Sequence, residues 1–296
     1  MPKHIEFISS GTSLEGRDLY GIKLSGSKQV TDKKAIIWHS NVHAREWITS
    51  MTLEYVTYQM VAALKGGKGR KPDPEVQALV DAYDFYIIPF VNPDGFVYSQ
   101  TTNRLWRKNR SPPPPDAANQ TCFGVDVNRN WPYQWLSGEE GSWSPNPCSE
   151  VYHGEAPGDT PENQGMRGLI DQIAADQGIK WYSDWHSYGQ YMLSPYGFDC
   201  NSYPANSAEQ VSLAGEVAQV IESVYGTNFT YGPICQTLYS VGGGSTDYVY
   251  DVAGAEYSYA FELRDQGDFG FVLPPAQIRP TGEEMWEGVR YLLLNI

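Results

Sequence analysis

Four short strand-like runs, at 35–38, 85–91, 181–185 and 257–263, constrain this chain most. They are too short for helices and rich in Ile, Val, Phe, Tyr and Trp, which suits strands buried within a sheet. Helix-period segments separate them at 47–64, 74–83, 162–177, 205–225 and 275–296. Gly66-Gly67 ends the first of these helices, and Lys65 to Pro74 reads as a loop. Residues 5–10 and 19–24 alternate as strands around a turn at 11–16. Asn92-Pro93-Asp94-Gly95 reads as a turn closing the strand before it. Residues 111–121, with four consecutive prolines, read as an exposed irregular loop open to nicking. Strands alternating with helices predict an α/β fold: one domain with a mixed, mainly parallel twisted sheet and helices on both faces.

No run approaches 18 apolar residues, so no transmembrane helix is expected. The start, Met1-Pro2-Lys3-His4, is not a signal peptide, which fits a cytosolic protein or a secreted one whose leader is removed. The net charge of −14 argues against nucleic acid or an anionic membrane as partner. Against that background, Asn103 to Arg110 holds Arg104, Arg107, Lys108 and Arg110. The window is either a solvated positive loop or an anion site suited to a carboxylate. The four cysteines, Cys122, Cys148, Cys200 and Cys235, include no C-x-x-C pair, which argues against a structural metal site. Cys122 and Cys148 bracket a loop that suits a disulfide, with Cys200 and Cys235 as the second pair. Four reduced core cysteines are the alternative. Two disulfides imply an oxidising compartment.

His43-Ala44-Arg45-Glu46 follows directly on the run 35–38, and His186 follows the run 181–185. In open α/β sheets, sites form at the carboxyl ends of the strands. Two imidazoles and one carboxylate hold zinc in many hydrolases, and three protein ligands leave a position open for water. A lone histidine is more often structural, but the pairing with Glu46 favours the ligand reading. Glu262 sits between Phe261 and Leu263, where a carboxylate is costly to bury unless used or paired. It is the candidate general base; a salt bridge to Arg264 is the structural alternative.

The stretches NVHAREWIT (41–49), NPDGF (92–96), NRLWRK (103–108), GVDVNRNW (124–131), CSEVYHG (148–154), DWHSYGQ (184–190), SPYG (194–197), GGGSTDY (242–248) and FELRD (261–265) occur in this order. In them the chain resembles the zinc carboxypeptidases of the carboxypeptidase A/B family. The resemblance implies one zinc ion held by His43, Glu46 and His186, with Asp126 orienting the His43 ring. It makes Glu262 the base that activates zinc-bound water, and Arg107 the group that stabilises the oxyanion. Asn128 and Arg129 would bind the substrate's free C-terminal carboxylate, and Tyr239 would close over it. Arg45 and Arg104 would add positive potential to the groove. Ser187, Tyr188 and Phe271 match positions that contact residues upstream of the scissile bond.

The pocket for the leaving side chain maps to Leu193, Gly197, Ile234, Leu238, Val241, Thr246 and Ala260. Relatives that remove Lys or Arg carry an aspartate at the position of Thr246, and those that remove acidic residues carry a basic group. A neutral Thr246 among apolar neighbours implies a preference for aromatic and aliphatic C-terminal residues. If the length difference between 246 and 262 falls elsewhere, Asp247 would reach the pocket instead. The implied partner is a peptide or protein substrate, the implied assembly a monomer, the implied location extracellular. A propeptide or protein inhibitor is a further implied partner. Residues 1–296 are expected to be the catalytic domain, without the family's N-terminal helix, leader or propeptide. Non-proline cis peptides are expected at Ser187-Tyr188, Pro195-Tyr196 and Arg264-Asp265. A zinc amidohydrolase acting on acylated amino acids and a non-catalytic binding module are the competing readings.

Overall fold

A computed structural model describes residues 5–26, 32–66 and 71–296. Met1 to His4, Gly67 and the middle of the 65–74 loop lie outside the described residues. The strands are β1 (Ile5–Thr12), β2 (Asp18–Leu24), β3 (Lys34–Ser40), β4 (Tyr83–Ile88), β5 (Ile179–Ser187), β6 (Tyr191–Ser194), β7 (Thr230–Pro233) and β8 (Tyr257–Leu263). They form one sheet of order β1-β2-β4-β3-β5-β8-β6-β7. β3 runs parallel to β4 and β5, β5 to β8, and β6 to β7; the β1/β2, β2/β4 and β6/β8 pairs are antiparallel. This is the expected mixed sheet.

The helices are α1 (Trp47–Lys65), α2 (Pro74–Ala82), α3 (Pro93–Thr101), α4 (Pro161–Gln177), α5 (Ser207–Tyr225), α6 (Ile234–Thr237), α7 (Ser245–Asp251) and α8 (Ile278–Leu294). Alternation along a strand sends successive side chains to opposite faces. In β3, Ile36 and Trp38 join Leu53 and Met60 of α1, Val217 and Ile221 of α5, and Val289 and Leu292 of α8 in one core cluster. Ala35 and Ile37 join Met166 and Ile170 of α4 and Val249 of α7 in the other. Burial on both faces explains why these strands read as near-continuous apolar runs. Each fully buried aliphatic side chain contributes about 1.5–3 kcal/mol toward holding the strands in place.

Some local expectations change. Asn92 to Gly95 does not form a turn but opens α3: Gly95 N donates to Asn92 Oδ1 (2.9 Å), and Pro93 takes the first helical position. The residues that favour a turn also favour a capped helix start. Asn92 Nδ2 also donates to Val42 O and Lys108 O, tying three loops beneath the site. A Cβ on Gly95 would stand 2.7 Å from Lys108 O, so only glycine fits there. Tyr83 opens β4 rather than ending α2, and α8 starts at Ile278 after a 3₁₀ turn at Pro275–Gln277. Both disulfides form, Cys122–Cys148 and Cys200–Cys235. The three cis peptides occur where expected.

Candidate active site

β3, β5 and β8 are parallel neighbours, so their carboxyl ends meet at one edge of the sheet. Beyond β3, Asn41 turns the chain at φ 56°, a left-handed conformation that asparagine tolerates. Glu46 N then donates to His43 O (3.1 Å), and Glu46 becomes the residue that starts α1. The tight turn sets both side chains on one side, with His43 Nδ1 2.9 Å from Glu46 Oε1. β5 brings in His186, whose Nδ1 is 3.1 Å from both His43 Nδ1 and Glu46 Oε2. All three residues are buried.

The outer ring nitrogens meet carboxylates. His43 Nε2 lies 3.1 Å from Asp126 Oδ1, and His186 Nε2 lies 2.9 Å from Asp184 Oδ2. Burial works against a charge on Glu46, but His43 and His186 outweigh it and hold its pKa low. Burial likewise opposes a charge on His186, but Asp184 and Glu46 on either side raise its pKa. The site thus attracts positive charge between His186 Nδ1 and Glu46.

These features test whether a metal fits. One donor atom from each of His43, Glu46 and His186 can be chosen so that all lie within 4.8 Å of one another. Carboxylates at the outer nitrogens favour protons there and leave the inner lone pairs free. Two nitrogens and one oxygen suit zinc. The cluster is positioned to bind a single metal ion.

Glu262 stands beside the cluster, and its carboxylate makes no hydrogen bond among the described residues. Burial, and then the charge of Glu46, push its pKa up to about 8. The structural alternative for this residue falls away because Arg264 turns elsewhere, donating from Nε to Glu284 Oε1 (2.7 Å). Arg107 grips Asp126 Oδ2 through Nε (3.0 Å) and Nη2 (2.8 Å). Its Nη1 reaches to 4.0 Å from Glu46 Oε1. Burial opposes its charge, but Asp126 and Glu46 keep it protonated.

A pocket opens from this edge, bordered by His43, Arg107, Asn128, Arg129, His186, Tyr239 and Glu262. The rest of its lining is Leu193, Gly197, Ile234, Leu238, Val241, Thr246 and Ala260, with Gly244 and Asp247. Thr246 is buried, and its carbonyl accepts from Ser258 Oγ (2.8 Å). Asp247 is fixed by Gly197 N (2.9 Å) and Phe198 N (3.1 Å) on Oδ2, and burial raises its pKa to about 7. Arg129 donates to Ser142 O, Asn128 O and Tyr239 Oη, and the exposed Tyr239 lines the same pocket.

The other predicted contact residues lie outside this pocket. The Arg45 guanidinium sits 4.1 Å from the Phe271 ring centre, and Tyr188 meets the same ring edge-on. Arg104 stacks on Trp47 and donates to Arg45 O (2.7 Å) and Phe271 O (2.5 Å), so its guanidinium braces this rim. Ser187 N donates to Glu46 Oε2 (3.2 Å), while its buried hydroxyl has no hydrogen-bond partner among the described residues.

A family model described as zinc carboxypeptidase matches residues 1–288. The chain belongs to the zinc carboxypeptidase family. A metallocarboxypeptidase A-like protein of Trichophyton verrucosum is 43% identical over 291 residues, covering 98% of this chain and 65% of that protein. The metallocarboxypeptidase A of Trichophyton rubrum is 44% identical over 288 residues, 97% of this chain and 65% of that one. The crystal structure of thrombin activatable fibrinolysis inhibitor is 33% identical with a TM-score of 0.89, covering 100% of this chain and 70% of that chain. The chain therefore spans 65% of the length of these two curated relatives.

Three residues that the sequence did not single out, Asp184, His39 and Ser245, pack behind His186. Ser245 Oγ donates to Asp184 Oδ2 (2.6 Å), and Ser245 N donates to Asn128 Oδ1 (3.0 Å). His39 pairs in register with Asp184, and burial lowers its pKa, so it is neutral. A signal was available: in a strand, residues two apart share a face, so Asp184 must lie on the side of His186.

Proposed function

We propose that residues 1–296 are the catalytic domain of a zinc exopeptidase that removes the C-terminal residue of peptides and proteins, preferring aromatic and aliphatic side chains. One observation carries this reading. His43 and His186 of the metal-binding cluster, the Glu262 carboxylate and the buried Arg129 line one pocket, together with Leu193, Ile234, Leu238, Val241 and Ala260. An exopeptidase needs an anchor such as Arg129, because the terminal carboxylate distinguishes a chain end from a chain middle.

His43, Glu46 and His186 would hold the ion, with Asp126 fixing the His43 ring. Zinc there supplies Lewis-acid polarisation of water and of the scissile carbonyl. Asn128 and Arg129 bind the terminal carboxylate, Tyr239 covers it, and the guanidinium can grip both oxygens. Glu262 takes a proton from the attacking water as the new C–O bond forms. Arg107 balances the negative charge that develops on the carbonyl oxygen. Glu262 then passes the proton to the amine as the C–N bond breaks, releasing one free amino acid and the shortened chain. The leaving side chain occupies the pocket built on Leu193, Ile234, Ala260 and Thr246. A substrate ammonium there would meet the neutral Thr246, while the nearby Asp247 carboxylate is held by the backbone N–H groups of Gly197 and Phe198.

Arg45, Arg104, Ser187, Tyr188 and Phe271 form the rim that meets upstream substrate residues. Two disulfides support an extracellular setting. The reading includes a monomeric enzyme and leaves the pocket mouth as the place a propeptide or protein inhibitor would cover. Cleavage of a blocked dipeptide ending in Phe, compared with its C-terminal amide, tests the assignment. Hydrolysis of the free acid but not the amide supports it, and equal hydrolysis of both removes the exopeptidase reading.

A further inference from the structure

The two histidine ligands are alike in one respect: each has a carboxylate at its outer nitrogen. For His43 the partner is Asp126. For His186 two side chains compete. Asp184 Oδ2 lies 2.9 Å from Nε2, and Asn128 Nδ2 lies 3.3 Å from the same atom. Asn128 Oδ1 accepts from Ser245 N, so its amide presents NH₂ to the ring. An NH₂ group can only donate and would need a bare Nε2, whereas an ionised carboxylate can only accept and needs a protonated one. A neutral imidazole that offers the Nδ1 lone pair to a cation carries its proton on Nε2. Only Asp184 satisfies that tautomer.

We propose that Asp184 is the positioning residue for His186, keeping its proton on Nε2 and its Nδ1 toward the ion, and that Ser245 and His39 brace the carboxylate. The inference rests on the zinc assignment of the previous subsection. Ser245 Oγ holds Oδ2 at 2.6 Å. Oδ1 faces His39 Nδ1 at 3.5 Å across the strands β3 and β5, and neither buried atom has a hydrogen-bond partner among the described residues. The other His39 nitrogen contacts the Tyr182 hydroxyl. Asp184 is wholly buried and lies two residues before His186 on the same strand face, so the brace is as rigid as β5 itself. With the proton assigned this way, Asn128 Nδ2 is left free for the substrate carboxylate. Ser245 then ties the metal brace and the substrate anchor to one residue.

The test is zinc affinity, by competition with a chromophoric chelator, for the wild type, Asp184→Ala, Asp184→Asn and Ser245→Ala, with apo-protein melting measured alongside. Loss of a carboxylate behind a metal-bound histidine weakens binding about 10–100-fold. That loss is expected for Asp184→Ala, with a smaller one for Asp184→Asn and Ser245→Ala. A folded Asp184 variant with wild-type zinc affinity overturns the proposal, even if its apo form melts lower. Should neither Asp184 variant fold, ¹⁵N NMR of the zinc-loaded wild type decides. An Nε2-protonated His186 supports the proposal, and a proton on Nδ1 overturns it. If the wild type takes up no zinc, the zinc assignment itself fails. Normal zinc uptake with unaffected variants removes only the role of Asp184.

Discussion

His186 and Glu262 are register partners on the adjacent parallel strands β5 and β8. One register step thus places a metal ligand beside the unpaired carboxylate, on rigid backbone rather than on loops. The acid group is poised by its surroundings: burial and the neighbouring Glu46 hold its pKa up, as suits a group that must accept and return a proton. Replacing Glu262 by Gln keeps the shape and removes the base. Turnover is expected to fall about 10²–10⁴-fold, with one zinc per chain retained by elemental analysis. Unchanged turnover would assign the base elsewhere.

Arg129 is buried, and its fork is already oriented by Ser142 O, Asn128 O and Tyr239. A charge-assisted contact of this kind contributes about 2 kcal/mol, roughly 30-fold in kcat/KM. Arg129→Gln should lose at least that much in kcat/KM on a free acid, with one zinc per chain and the wild-type near-ultraviolet circular dichroism retained. A loss that comes with lost zinc or an altered spectrum would mean that Arg129 supports the fold rather than the substrate carboxylate.

The neutral pocket makes a separable prediction. Thr246→Asp should raise the ratio of kcat/KM for C-terminal Arg over Phe, by an order of magnitude or more, because the buried cation gains a partner. If the wild type already favours Arg, Asp247 reaches the side chain despite its two backbone hydrogen bonds.

Away from the site, Glu162 is fully buried, with Oε2 accepting from Asn109 Nδ2 (2.8 Å) and Oε1 without a hydrogen-bond partner among the described residues. Burial raises its pKa to about 7. The native state then binds more protons than the unfolded chain between about pH 4.5 and 7. This contribution to stability is fully present below that window and is lost as pH rises through it. Glu162→Gln should flatten that fall and stabilise the protein at neutral pH by on the order of 2 kcal/mol. Parallel urea-denaturation profiles for the two proteins across that range would contradict the assignment.

Much of the fold was legible because its signals are local. β3 and β4 carry apolar runs, and His43 and Glu46 sit three apart in one turn, so chemistry and spacing are read together. β6 and β7, with four residues each, are too short to show a period, and their pairing depends on contacts distant in sequence. Asn92-Pro93-Asp94-Gly95 has the composition of both a turn and a helix start, and only the packing of α3 decides between them. Asp184 stands in the stretch DWHSYGQ, but its partners Ser245 and His39 reach it from other elements. The pairing of Cys200 with Cys235 is likewise a fact of three dimensions.

The most direct test of the central claim is hydrolysis of two blocked dipeptides, one ending in Phe and one in Arg, with and without a zinc chelator. The account predicts rapid release of Phe, little release of Arg, and loss of both when the metal is removed. No release of either from folded, zinc-containing protein, or Phe release that survives complete zinc removal, would contradict it.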